Sequence, residues 1–368
     1  MEIKIYESGA DAVSEFNMIG AFEGEEKFSS GTFRFRNTAF GDGYIKTMTA
    51  GAVATPVHLR RGGNVRKIFE YAHSLAYESG AAAAILHPFS FAYYNKFGYE
   101  KVADHLIVSC PIRYIDFVPR RCSLVPCTDK NISDLIPVYE QFLKGRNLLF
   151  ERKLTEQFTR YKDALIYIYY NGTTPEGYII FNTEKVLHTN HFEEGKMLVR
   201  EMVYTTPTAL SELLSFIRMY EGELEDVEFL NLAMTPEADI LLRNYTHTKY
   251  RLLPDIAAKV INTKLLLGAL ALPKAEGALS LKVTDGDFGA SGSYLLEWGG
   301  TDSQVTALPD EKETDATVSA KALARLAFGY DVVNKTTLPY FRDVEITKNQ
   351  EGFISAFPKK CCGIFEHF

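Results

Sequence analysis

Gly51-Ala-Val-Ala-Thr55, Arg60-Arg61-Gly62-Gly63-Asn64-Val65-Arg66 and Tyr93-Tyr94-Asn95-Lys96-Phe97-Gly98-Tyr99 follow one another within a single run of the chain, and their order carries most of its meaning. The first segment is small, apolar and β-branched, the composition of a strand. The second is a glycine turn bearing arginines. Apolar residues then recur at Val65, Ile68, Phe69, Ala72, Leu75 and Ala76, the spacing of an amphipathic helix. Gly80 stops that helix, and residues 81–86 form a second buried strand. A glycine turn that opens a helix presents free backbone N–H groups at the positive end of the helix dipole. Such a turn suits a diphosphate, and flanking arginines suit further phosphates. Taken alone, Gly62-Gly63 after two arginines is as readily an ordinary solvated turn.

The spacing Arg60-x-x-Gly63-x-Val65 resembles the (Gln/Arg)-x-x-Gly-x-(Gly/Ala) loop of GNAT N-acyltransferases, with Val65 in place of the smaller last residue. Helix, strand and the Phe97-Gly98-Tyr99 ending follow in that family's order. No Gly-Lys-Ser/Thr and no Gly-x-Gly-x-x-Gly occurs, so the Walker and Rossmann readings fail. The run is most similar to the enhanced-intracellular-survival (Eis) branch, in which a tyrosine precedes Phe-Gly-Tyr; Tyr94 falls on it. The resemblance is strongest over 51–99 and looser elsewhere. It implies an α+β (mixed α/β) chain of three parts. These are an N-terminal GNAT lobe with a mixed twisted sheet over 1–110, a GNAT-like lobe without a cofactor loop over 111–272, and a sterol-carrier-protein-like lobe over 273–368. It further implies acetyl-CoA along Val53, Ala54, Thr55, Arg61, Gly62, Gly63, Asn64, Val65 and Arg66, with Phe89 and Ser90 near its pantetheine or adenine arm.

The remaining chain agrees with that order. Residues 105–110 read as a strand, and 135–142 as a helix favoured by Asp134 in its first turn. Asn171-Gly172 between two apolar runs is a hairpin signal. Residues 196–204 and 208–221 repeat the strand-then-helix order, but Thr205-Thr-Pro-Thr208 replaces the glycine turn, so this lobe is assigned no cofactor. Residues 273–277 form a linker. Strands follow over 279–284, 292–298 and 301–307, then a helix over 320–328 capped by Ser319 and closed by Gly329. The run before Val53 is short: a helix-like stretch over 11–18, a turn at 23–26, and strands near 32–40 and 44–49. Family members usually carry two helices here that wall the acceptor pocket, so an open pocket is expected.

With 368 residues the chain is long enough for two or three cores. A net charge of −7 argues against a general nucleic-acid or anionic-membrane binder. Met1-Glu-Ile-Lys-Ile-Tyr lacks a signal-peptide pattern, and no apolar run reaches membrane-spanning length. The five cysteines show no zinc spacing; no metal is expected, and reduced thiols in a cytoplasm are.

The chain ends Cys361-Cys-Gly-Ile-Phe-Glu-His-Phe368. An aromatic last residue is commonly a frayed end or a piece of core. In the resembled family the terminal carboxylate enters the active site, which makes Phe368 the candidate base, with burial raising its pKa; Glu366 and His367 are alternatives. Tyr94 is then the candidate acid that protonates the leaving sulfur, a tyrosine near pKa ~10 being matched to a thiolate. The chain has 21 tyrosines, and packing is the plain role for any one of them. Adjacent helical residues point about 100° apart, so only one of Tyr93 and Tyr94 is expected to face the cleft. Two functions follow: acetyl transfer to an amine (aminoglycoside-like, polyamine, lysine or small amine) lodged in an acidic pocket, or non-catalytic acyl-CoA binding as a scaffold. The acceptor is a small molecule or peptide, and the resemblance implies a homo-oligomer, the hexamer among its forms.

Overall fold

Antiparallel strand pairing, not helical spacing, governs the first forty residues. The computed structural model describes residues 1–11, 14–187, 193–232, 237, 244–300, 302–366 and 368. Strands β1 (Glu2–Asp11), β2 (Ser14–Glu23), β3 (Glu26–Phe40) and β4 (Gly43–Ala54) form an antiparallel meander. The helix expected over 11–18 is absent. In its place Asp11 pairs with Ser14 across a hairpin. Strand pairing explains the error: Glu15–Ala21 lie register to register with Phe35–Ser29 of β3, and Ile19 and Ala21 are fully buried.

Helix α1 (Asn64–Glu78) lays Ile68, Phe69, Ala72 and Ala76 against Ile19, Phe33 and Met48 of the meander. The chain returns as β5 (Ala83–Leu86), parallel to β4 from Thr47↔Ala83 to Ala50↔Leu86. Then come the short α2 (Phe91–Tyr94) and β6 (Glu100–Pro111). The second half supplies β7 (Leu124–Pro126), α3 (Leu135–Leu143), β8 (Arg146–Asn147), β9 (Leu165–Asn171), β10 (Thr174–Leu187), β11 (Glu193–Tyr204), α4 (Pro207–Arg218), β12 (Asp226–Phe229) and β13 (Lys249–Val260).

All of these strands but β8 join in one 12-stranded sheet, ordered β1-β2-β3-β4-β5-β13-β6-β12-β11-β10-β9-β7. Strand β13 of the second half is inserted between β5 and β6 of the first, antiparallel to both. The last part holds α5 (Thr263–Gly268), β14 (Gly277–Thr284), β15 (Gly292–Gly299), β16 (Asp302–Leu308), β17 (Ala316–Ser319), α6 (Ala320–Ala327), β18 (Val344–Ile346), α7 (Gln350–Ala356) and β19 (Cys361–Cys362). Its five-stranded sheet runs β16-β15-β14-β17-β18. Ser319 caps α6 by accepting from Ala322 N at 3.0 Å, as the sequence predicts. Its apolar core is continuous with Ile85, Val102 and Ala258 of the large sheet, and with Phe150 and Ile364.

Two connections steer the chain end to the centre of the large sheet. β19 pairs in parallel with β8. Asn147, buried in β8, accepts from Gly41 N and donates to the Phe328 carbonyl, both at 2.8 Å. One side chain thus ties the first half, the second half and the last part together.

Candidate active site

A bulge opens the sheet at the place the site needs. Gly51 faces Thr32 and Ala54 faces Ser30, so β4 carries an extra residue there; Ala52 takes a positive φ of 48°. Pairing with β5 stops at Ala50↔Leu86, one residue before the bulge. Beyond it β4 diverges, leaving the backbone of Gly51–Ala54 without a β5 partner.

The divergence opens into a cleft of about 890 Å³. Val53, Ala54, Thr55, Arg61, Gly62, Gly63, Asn64, Val65, Arg66 and Phe89 all line it, together with Arg60 and Lys96. Gly63 sits at the N-cap of α1 with φ 76°, and no side chain caps the helix. Its free N–H groups therefore face the cleft at the positive end of the dipole, among exposed arginines. These residues fit a pyrophosphate. Ser90 is placed differently: it is the N-cap of α2 and accepts from Tyr93 N at 3.3 Å, outside the lining.

Gly63→Asp tests the turn. A Cβ at Gly63 meets nothing within 4 Å, so the substitution adds local φ strain and a carboxylate without a steric clash. The variant is expected to fold and to lose most CoA affinity by calorimetry. Wild-type affinity would remove the turn from the site.

The chain end reaches the same divergence from the opposite face. A Cβ built on Gly51 would lie 2.8 Å from the Phe368 carboxyl carbon and 3.0 Å from its oxygen. The terminal carboxylate therefore rests directly on the bulge. The Phe368 ring packs on His87 (centroids 4.7 Å) and Phe150 (5.5 Å). Upstream, Asn231 Nδ2 donates to the Ile364 carbonyl at 2.6 Å and the Tyr161 hydroxyl to the Phe365 carbonyl at 3.1 Å.

Glu366 is held by its side chain. Arg152, fully buried, donates to Glu366 Oε1 at 2.7 and 2.9 Å and to both oxygens of buried Glu201 at 2.8 and 2.9 Å. Arg160 joins through Glu201. Burial alone would raise the Glu201 pKa; the two guanidiniums outweigh it and hold it down to about 2. As an alternative base Glu366 is poorly placed, because its carboxylate is engaged by Arg152. His367 lies outside the described residues. Arg152→Met should strand two buried carboxylates and destabilise the fold by about 3–5 kcal/mol. The urea midpoint of unfolding measures this, and an unchanged midpoint would mean the cluster contributes nothing.

Residues 2–102 match one family model described as acetyltransferase (GNAT) domain, and residues 146–258 match a second with the same description. The chain belongs to the GNAT acetyltransferases. Its fold is that of a GCN5-related N-acetyltransferase from Anabaena variabilis (18% identical, TM-score 0.81, covering 96% of this chain and 89% of that one). A probable N-acyltransferase from Enterococcus faecalis is similar at 16% identity (TM-score 0.79, covering 96% and 89%). So is Eis1 from Mycobacterium abscessus at 12% identity (TM-score 0.77, covering 95% and 90%). No curated protein matches the sequence.

In the second GNAT segment of this acetyltransferase, α4 starts differently from α1. The Thr206 hydroxyl accepts from Ala209 N at 3.1 Å and Pro207 stands in the first turn, so the helix caps itself. In the first GNAT domain, both Tyr93 and Tyr94 line the cleft, correcting the expectation that only one would. The reason is the shortness of α2: four residues placed over an open cleft let neighbouring rings sit perpendicular, with centroids 5.2 Å apart. Tyr94 is 5% exposed, and burial, then Tyr93, pushes its pKa up to about 12, above the value near ~10 expected from sequence.

The face that bears Gly51 also bears Thr47 and Thr49 of β4 and Arg34 and Arg36 of β3, because directly paired residues share a face. The Arg36 guanidinium lies 4.7 Å over Phe150. The side chains of this face are hydroxyl-bearing and basic, where an Asp/Glu lining would have favoured amine transfer over a scaffold. Only residues 12–13 separate β1 from β2, so the usual helices have no room. The edge of β3 beyond β2 is instead covered by residues 148–151: Ala39 N donates to the Leu149 carbonyl at 2.7 Å and Glu151 N to the Asn37 carbonyl at 2.9 Å.

Proposed function

We propose that this acetyltransferase moves an acetyl group from acetyl-CoA to a primary amine by direct attack in a ternary complex. The observation that carries the reading is the Phe368 carboxylate resting on Gly51, where β4 and β5 part, with the phosphate-binding turn at the far side of the same opening. A thioester laid along Val53–Thr55 would bring its carbonyl carbon to that point.

The amine nitrogen forms a bond to the carbonyl carbon, and the Phe368 carboxylate takes its proton. The carbon–sulfur bond breaks as the Tyr94 hydroxyl donates to sulfur. Holding both reactants at the divergence supplies much of the rate, and a β4 backbone N–H serves the developing oxyanion. The last part of the chain acts as a scaffold that delivers the terminus.

A thiol-release assay with acetyl-CoA against aminoglycosides, polyamines, lysine peptides and small amines tests the proposal. Release with at least one amine is expected. CoA binding with no release from any of them would make the chain a binding scaffold. The self-capped start of α4 supports a second proposal, one CoA per chain. Saturation at two equivalents in a calorimetric titration would overturn it.

A further inference from the structure

Two histidines and an aspartate that no step above uses stand behind the chain end. His87 follows the last residue of β5, and Asp255 lies on the neighbouring strand β13. His87 Nδ1 is 2.9 Å from Asp255 Oδ1, and Nε2 is 3.1 Å from the Glu366 carbonyl oxygen. An ionised carboxylate and a carbonyl both only accept. The ring thus bridges two acceptors, one on β13 and one on the chain end.

Asp255 carries the negative charge of the pair. Burial would raise its pKa, but hydrogen bonds and positive charge from His105 and His87 hold it well below the usual carboxylate range. His105 Nδ1, on β6, is 3.7 Å from Asp255 Oδ2.

We propose that His87 is a positioning residue: its ring clamps the backbone of the chain end to β13 and sets where the Phe368 carboxylate sits against Gly51. Asn231 and Tyr161 hold the backbone only as far as Phe365. Arg152 holds the Glu366 side chain, which leaves the Glu366 backbone to turn. The Glu366 carbonyl is the last backbone atom fastened before the carboxylate among the described residues. Removing the ring's hydrogen bonds frees the Glu366 carbonyl, so the clamp is lost with the ring. Its catalytic consequence rests on the reading of the Phe368 carboxylate as the base.

His87→Phe keeps an aromatic ring against Phe368 and removes both hydrogen bonds, whereas Asp255→Asn keeps a polar partner that can donate to or accept from Nδ1. The readout is the rate at which a carboxypeptidase releases Phe368 from the whole protein, normalised to a peptide of the same last residues, beside kcat and the dissociation constant for CoA. His87→Phe should release at least about 10-fold faster than wild type and lose kcat at unchanged CoA affinity, and Asp255→Asn should stay close to wild type. Wild-type release from His87→Phe would overturn the clamp. Faster release from His87→Phe with unchanged kcat would leave the clamp standing and remove the carboxylate as base.

Discussion

A chain extended by one or two residues beyond Phe368 is expected to bind CoA at wild-type affinity and to turn over about 10²-fold more slowly, or less. Each extended residue moves the terminal charge by roughly 3.3–3.6 Å. A displacement of ~1 Å can already cost ~10²-fold in rate. The tail has no slack to absorb the addition: β19 pairs with β8, and Ile364, Phe365 and Glu366 are each fastened to a different neighbour. Gly51→Ala makes the same test from the other side. Its φ is not in the left-handed region, so alanine is compatible with the backbone, but its methyl would stand 2.8 Å from the carboxyl carbon. The methyl must displace the carboxylate while leaving the phosphate turn at Gly63 untouched. Both variants should lower kcat in the thiol-release assay without moving the dissociation constant for CoA. Full activity in the extended chain would exclude the terminal carboxylate. A parallel loss of CoA affinity would mean that the tail supports the cleft and not the chemistry.

The cleft side of the candidate site was legible because its parts are close in sequence. Strand, glycine turn, helix and tyrosine lie within 51–99, and spacing alone relates them. The chain-end side is assembled from residues far apart in the chain, and no local pattern announces it. Arg152 meets Glu201 and Glu366 across separations of 49 and 214 residues, and His87 meets Asp255 across 168. A polar residue just after a strand of four buried apolar residues was the one available signal for His87. The N-terminal error has a different origin. Residues 11–18 mix polar and apolar side chains over so short a span that periods of 2 and 3.6 fit nearly as well, and the pairing with β3 decides between them. The insertion of β13 between β5 and β6 was invisible for the same reason as the ion cluster, since strand order is a tertiary property.

Tyr94→Phe is expected to lower kcat by about 10²–10⁴, the usual contribution of a positioned general acid, with CoA affinity and thermal midpoint close to wild type. The substitution removes one oxygen and keeps the ring. That ring is surrounded by Phe69, Phe89, Phe97 and Tyr99 with centroids between 5.4 and 6.3 Å, contacts that phenylalanine repeats. Fold and cleft should therefore survive, and only the donor is lost. With its pKa pushed up to about 12, the hydroxyl stays protonated throughout the neutral range. The wild-type enzyme should accordingly show no loss of kcat from Tyr94 ionisation until strongly alkaline pH. The raised pKa also makes full proton transfer to a thiolate uphill, so the hydroxyl acts best by donating a hydrogen bond as the carbon–sulfur bond stretches. Tyr93 lines the same cleft and is the internal control, since a donor anywhere in the cleft would make Tyr93→Phe equally damaging. Unequal effects, with Tyr94→Phe much the larger, are expected. Equal effects would spread the role over both rings, and an unaffected Tyr94→Phe enzyme would reduce Tyr94 to packing.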